Sequence, residues 1–209
     1  MDRFVLQYQT HSPFARKVLV FAHEAGLADR LEVRHQETSP TLRNDDVFAL
    51  NPLGKVPVLV RPGRSPLFDS TVICAFLDTL HDGKPLIPRD GEARWRALRL
   101  QALADGLAES GIAVRWETER RPEALRYPPL RDGHLAKIDA GYAFAAREIE
   151  QGPVIDIGCI ALATALSWLE FRAVAPLGDK HPELERWLAG FNRRPSMLAT
   201  PLEGDTVDG

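Results

Sequence analysis

The chain has 209 residues and a net charge of -3 at pH 7, with 44% apolar, 26% charged and 8% aromatic residues. That length buries a sizeable core, as one large domain or two small ones, and the composition is that of a soluble globular protein. The small negative charge gives no reason to expect nucleic acid or an anionic membrane as partner.

Met1-Asp2-Arg3 is followed only by Phe4-Val5-Leu6 before Gln7, which does not make a secretory leader. Phe4 to Tyr8 reads as a strand. Beyond it, Ser12 stands where a helix N-cap belongs, and Pro13 stands at the first helical position, which tolerates a missing N–H. Apolar residues at Val18, Leu19, Phe21, Ala22 and Ala25 keep helical spacing, and Gly26 supplies the stop. A second strand begins at Leu31-Glu32-Val33. Strand, helix and strand so close together imply a βαβ unit with parallel strands and a right-handed crossover. Residues 37–50 are polar and irregular, with one helical turn expected near Asp46 to Leu50.

Asn51-Pro52-Leu53-Gly54 marks a turn, and Val56 to Val60 reads as an edge-like strand because of Pro57. After a turn at Pro62 to Pro66, Leu67-Phe68 returns as a short strand. Asp69-Ser70-Thr71 caps a helix to about Leu80, with Phe68 and Ile73 placed as a hydrophobic staple. His81 to Asp90 is rich in Pro, Asp and Gly and lacks periodicity, as a linker between domains does.

Everything after the linker reads as helical: Ala93 to about Glu119, Leu135 to Ile149, Val154 to Val174, and Pro182 to Asn192. Arg120 to Asp132 is Arg- and Pro-rich and reads as a loop. Val154 to Val174 is apolar on nearly every side and is expected to be the buried centre of a bundle. Its run from Ile157 to Leu169 carries Thr164 and Ser167 and falls short of the ~20 residues of a membrane span. The acidic, Gly-containing tail from Pro201 is expected to fray. The expected domains are 1–81 and 92–209, joined by a linker at 82–91. Cys74 and Cys159 lie in unrelated segments without Cys-x-x-Cys spacing, as reduced, buried thiols of a cytoplasmic protein would, so neither a disulfide nor a metal site is expected.

Five motifs, in order and together, resemble the glutathione transferases: Ser12-Pro13-Phe14-Ala15-Arg16-Lys17-Val18, Asn51-Pro52-Leu53-Gly54-Lys55-Val56-Pro57, Phe68-Asp69-Ser70, the Asp156-Ile157 helix start, and Arg194-Pro195-Ser196. The likeness is greatest to bacterial transferases of the serine or cysteine type and covers nearly the whole chain. It implies an α/β thioredoxin-like N-terminal domain followed by an all-α helical-bundle domain, usually in a homodimer. It also implies glutathione as co-substrate, no metal, and a role in detoxification.

The chemistry fits these residues. A thiol of pKa ~8.5 is only about 3% ionised at pH 7, and lowering that pKa by two units takes about 2.7 kcal/mol of stabilisation. A hydroxyl donor at the positive end of a helix supplies interactions of that size. Ser12 matches the position that faces the glutathione sulfur. Tyr8, at the end of the first strand, is the rival donor, and His11 a further one more readily read as solvated. Phe14 belongs to the same motif. Val56-Pro57 resembles the family's cis-proline turn, which exposes the Val56 N–H and C=O to the cysteinyl backbone. Asp69-Ser70 resembles the acidic-residue–serine pair that holds the γ-glutamyl end, with Ser70 suited to its carboxylate and Asp69 to its ammonium. Arg43 falls where several members place a base for the glycyl carboxylate.

Asp156 matches a structural acidic residue in the first turn of the central helix. The hydroxyl residue that normally precedes it by three is here Pro153. The second substrate is expected between the first domain and the long helix, beside Tyr8, Phe14, Ser110 and Trp116. The leading expectation is conjugation of glutathione to a small, apolar electrophile. The alternatives are a glutathione-dependent disulfide reductase or lyase, whose members usually carry cysteine in place of Ser12, and a non-catalytic interaction module on the same fold.

Overall fold

The computed structural model of the chain describes residues 3–149 and 155–207. It divides into two compact units, Met1–Arg89 together with Pro195–Gly209, and Asp90–Arg194.

The first unit runs β1 (Phe4–Tyr8), α1 (Pro13–Glu24), β2 (Leu31–His35), α2 (Asp45–Leu50), β3 (Val58–Arg61), β4 (Arg64–Leu67) and α3 (Ser70–Leu77). The strands form one sheet in the order β2-β1-β3-β4. β1 runs parallel to β2, as the βαβ reading requires, and antiparallel to β3, which is antiparallel to β4. Alternation sends Phe4 and Leu6 of β1 into a core shared with Val18 and Phe21 of α1 and Ile73 and Leu77 of α3. The Phe4 ring stands edge-on to Phe76 with centroids 5.6 Å apart.

β3 is not an edge strand. It pairs on both sides, and Pro57 does not interrupt either ladder because it precedes the strand, in a cis Val56–Pro57 bond. The edges are β2 and β4.

The C-terminal segment belongs to this first unit rather than to the helical one that the 92–209 division assigned it to. Its short helix α8 (Pro195–Leu198) is held to α1 by two bonds: Arg16 Nη2 donates to the Met197 carbonyl at 3.2 Å, and the Ser196 hydroxyl donates to Glu24. The stretch beyond Pro201 is not frayed at its start. Glu203 is tied to Thr10 through backbone and hydroxyl groups.

The second unit holds α4 (Gly91–Arg115), a π turn at Trp116–Arg120, α5 (Pro128–Ile149), α6 (Ile157–Phe171) and α7 (Pro182–Phe191). α5 begins seven residues earlier than the loop reading allowed, because prolines at 128 and 129 open a helix instead of breaking one. Every residue of α6 from Ile157 to Leu169 is buried, as its all-round apolarity predicts. α6 packs closely on α4: a Cβ at Gly158 would stand 2.6 Å from the Ala97 carbonyl oxygen.

Asp156 is the N-cap of α6 and not a first-turn residue. Its Oδ1 accepts from Cys159 N at 2.9 Å, and its Oδ2 lies 3.5 Å from Arg96 Nη1. Arg96 also donates to the Glu148 carbonyl at 2.7 Å, and Arg99 pairs with the Glu148 carboxylate at 2.8 Å, which fixes the end of α5 against α4. The reading of Pro153 lies outside the described residues. Among the described residues, no helix is long and apolar enough to cross a membrane.

Candidate functional site

Strand register brings three of the sequence motifs to one end of the sheet. Gln7 near the end of β1 pairs with Val58 at the start of β3, and Leu59 of β3 pairs with Leu67 at the end of β4. The chain therefore leaves β1 toward Ser12, enters β3 from Val56-Pro57, and leaves β4 toward Asp69-Ser70, all at the same end. β2 ends there too, since Tyr8 pairs with His35.

Ser12 is the N-cap of α1. Its backbone is extended, its Oγ accepts from Ala15 N at 3.2 Å, and it is 8% exposed. A turn from Gln9 holds it, through Ser12 N to Gln9 O at 3.1 Å. The hydroxyl hydrogen has no acceptor among the described residues. Two cations follow in the next turn of α1, and both are buried. The Arg16 guanidinium is pushed down to about 10 by burial and so stays charged at neutral pH. Lys17 is 1% exposed, with its Nζ 5.9 Å from the Phe14 ring centroid. Phe14 itself is half-buried. His11, read as solvated, is buried.

The turn before β3 is built by Asn51, whose Nδ2 donates to Lys55 O at 2.8 Å while its Oδ1 accepts from Leu53 N at 3.1 Å. Gly54, at φ +61°, leaves room that the Phe48 ring fills. The Arg43 guanidinium stacks over that ring at 3.9 Å and pairs with Asp45 at 2.7 Å, remaining largely exposed. Arg43 is therefore carried by the same small cluster as the turn leading into Val56.

Asp69 caps α3, its carboxylate accepting from Thr71 N at 2.9 Å and Val72 N at 3.4 Å. The Phe68–Asp69 bond is cis. Ser70, the first residue of α3, is 2% exposed. The remaining candidates fall in different places. Tyr8 stands edge-on to His35 at 5.8 Å and lines a cavity with α1, β2 and the C-terminal segment. Ser110 is buried on α4, and Trp116 opens the π turn with Arg120 stacked on its ring at 4.0 Å, both in the second unit. No group of three or more His, Cys, Asp or Glu side chains suited to a metal occurs among the described residues.

A family model for the N-terminal domain of glutathione S-transferases matches residues 11–80. A glutathione transferase family member from Pseudomonas fluorescens Pf-5, crystallised with bound glutathione, is 38% identical and superposes with a TM-score of 0.90 over 96% of this chain and 100% of its own. The chain belongs to the glutathione transferase family. Glutathione S-transferase omega-1 of Sus scrofa is 34% identical over 91% of this chain and 77% of its own length. The uncharacterized GST-like protein YibF of Escherichia coli (strain K12) is 30% identical over 79% of this chain and 81% of its own length. The two units are thus the thioredoxin-like and all-helical domains of a transferase fold. The tie from Thr10 to Glu203 and the burial of Arg16 and Lys17 are structural features beside Ser12 in the chain that sequence reasoning missed, because neither leaves a periodic or spacing signal.

Proposed function

We propose that this chain is a cytoplasmic glutathione S-transferase that joins the glutathione sulfur to a small, apolar electrophile. The observation that carries the reading is Ser12: a nearly buried hydroxyl at a helix N-terminus, accepting one backbone N–H, with no acceptor for its own hydrogen among the described residues. Such a group donates to a thiolate while still capping its helix. The thiol proton passes to solvent, the helix end favours the remaining negative charge, and the sulfur lone pair forms the new C–S bond as the leaving group departs with its electron pair.

In this reading the Val56 N–H and C=O pair with the cysteinyl backbone. Ser70 and the N-terminus of α3 take the γ-glutamyl carboxylate, and Asp69 its ammonium. Arg43 takes the glycyl carboxylate, and Phe14 packs beside the sulfur. The active form is a homodimer, and its role is detoxification.

A reductase route through a mixed disulfide needs an accessible protein thiol. The only cysteines, Cys74 and Cys159, are both buried, and burial together with the Asp156 charge pushes the Cys159 thiol up to about 12.

Calorimetric titration with glutathione, followed by turnover of an activated chloroaromatic, tests the proposal. Wild type is expected to bind glutathione saturably and to release halide. Ser12→Ala is expected to keep most of the binding and lose roughly 10²-fold in turnover, the usual effect of removing one donor from a developing or stabilised anion. Absence of glutathione binding in wild type would leave the interaction module as the better account.

A further inference from the structure

A cavity of about 350 Å³ opens within the first unit between α1, β2 and the C-terminal segment. Neither Ser12 nor Val56, Pro57, Asp69 or Ser70 lines it, so it is distinct from the residues assigned to glutathione. Its walls are aliphatic, from Leu19 and Ala22 on α1, Leu31 and Val33 on β2, and Pro201 in the tail. Val33 remains 46% exposed on an edge strand, an apolar side chain that nothing in the unit covers. The size falls in the range that small ligands occupy, roughly 300–1,000 Å³.

The polar groups around this apolar space are one-sided in charge. Asp29 and Glu203 line it, and neither carboxylate has an ion-pair partner among the described residues. No Lys or Arg lines it, although the chain carries 26 of them. Its one basic group is the imidazole of His23, and the Tyr8 ring adds an aromatic surface that favours cations.

We propose that this cavity is a second small-molecule site and that its ligand is an organic cation. A compact aliphatic or aromatic body fills the apolar walls, and its ammonium group meets Asp29 and Glu203. Both carboxylates are solvent-exposed, so each contributes only a few-fold, and together they favour the cation over a neutral isostere by roughly tenfold at low salt.

The test uses the full-length protein and three probes of one shape: 2-phenylethylammonium, neutral 2-phenylethanol and anionic 3-phenylpropionate. Binding is read by ligand-observed NMR titration, with and without saturating glutathione. The cation is expected to bind saturably and to weaken with salt, the alcohol to bind roughly tenfold more weakly, and the acid not to bind. Glutathione should leave the cation bound. Ala199→Trp, which places an indole on an exposed position of the cavity wall, should abolish binding. The double variant Asp29→Asn with Glu203→Gln should reduce the cation to the affinity of the alcohol, and it provides a reading independent of whether the tryptophan variant folds. No saturable binding, equal binding of all three probes, displacement by glutathione, or full cation affinity in the double variant would each overturn the proposal.

Discussion

The Thr10 hydroxyl donates to the Glu203 carbonyl at 2.8 Å, and the Glu203 N–H returns to the Thr10 carbonyl at 3.4 Å. These residues are 193 positions apart, yet they form a two-way tie. The tie anchors the tail to the loop that ends, two residues later, in Ser12. Arg16 adds a second anchor from the first turns of α1 to the Met197 carbonyl. Thr10→Val, which keeps the shape and removes the hydroxyl, should lower stability by about 1 kcal/mol, and Thr10→Ser should restore most of it. Urea midpoints of the three proteins check this, and limited proteolysis of Thr10→Val should cut the tail first.

Capping and thiolate stabilisation are separable at Ser12. Ser12→Ala removes the acceptor for Ala15 N and should cost about 1 kcal/mol of stability. Ser12→Asp retains a capping oxygen and a favourable charge at the helix N-terminus, so it should be no less stable than Ser12→Ala, while its carboxylate opposes a neighbouring thiolate. Denaturant unfolding beside glutathione turnover distinguishes the two effects: the aspartate variant should fold and not turn over.

Two glycines on α4 should respond to alanine with opposite sign. A Cβ at Gly106 meets nothing within 4 Å, so Gly106→Ala should stabilise by up to about 1 kcal/mol through helix propensity. A Cβ at Gly111 runs into the Leu169 side chain and comes within 2.8 Å of Trp168 Cζ3 on α6. Gly111→Ala should therefore destabilise by about 1–3 kcal/mol through overpacking. Thermal unfolding of both variants provides the comparison.

Alkaline pH should weaken the fold in a defined window. Burial raises the Cys159 thiol from 9.0 to about 12, so well below pH 9.0 it is protonated in both folded and unfolded chains and contributes no slope. As pH rises above 9.0, the unfolded thiol ionises and the folded one does not, so stability falls, with a limiting slope of about 1.4 kcal/mol per pH unit. Two other buried groups titrate in the same region: Arg16, lowered by burial to about 10, acts in the opposite sense as the folded chain sheds its proton, and Tyr142, raised by burial above its ordinary 10.0, adds to the decline. Urea unfolding of wild type beside Cys159→Ala isolates the thiol: the stability difference between the two proteins should shift against wild type as pH rises through 9.0.

What the sequence made legible was local. Ser12-Pro13 and Asp69-Ser70 announce helix starts through neighbouring cap chemistry, and both are caps in the structure. The all-apolar run of α6 likewise announces a buried helix. β3 was misread because strand order is fixed by distant partners, and Pro57 carries the same letter whether it lies inside a ladder or one residue before it. The prolines at 128 and 129 were read as loop formers, although proline is equally at home at a helix start. The burial of Arg16 and Lys17 could not be read from a charged letter in a helix, and for Arg16 it comes with a bond to the distant Met197 carbonyl. Backbone ties such as Glu203 N to Thr10 O leave no mark on residue identity at all. Of the candidate site, the three motifs at one end of the sheet were legible. The cavity that Tyr8 lines was not, because part of its wall comes from a C-terminal segment that the 92–209 division placed in the helical domain.

The central claim is that Ser12 keeps a bound glutathione sulfur ionised, and the ultraviolet difference absorbance of the thiolate tests it most directly. With wild type saturated near pH ~6.5, where free glutathione is almost wholly protonated, a thiolate band should appear and should titrate about two pH units below the free thiol. In Ser12→Ala the same titration should move back toward the free value. A wild-type complex without the band, or an unchanged titration in Ser12→Ala, would contradict the account.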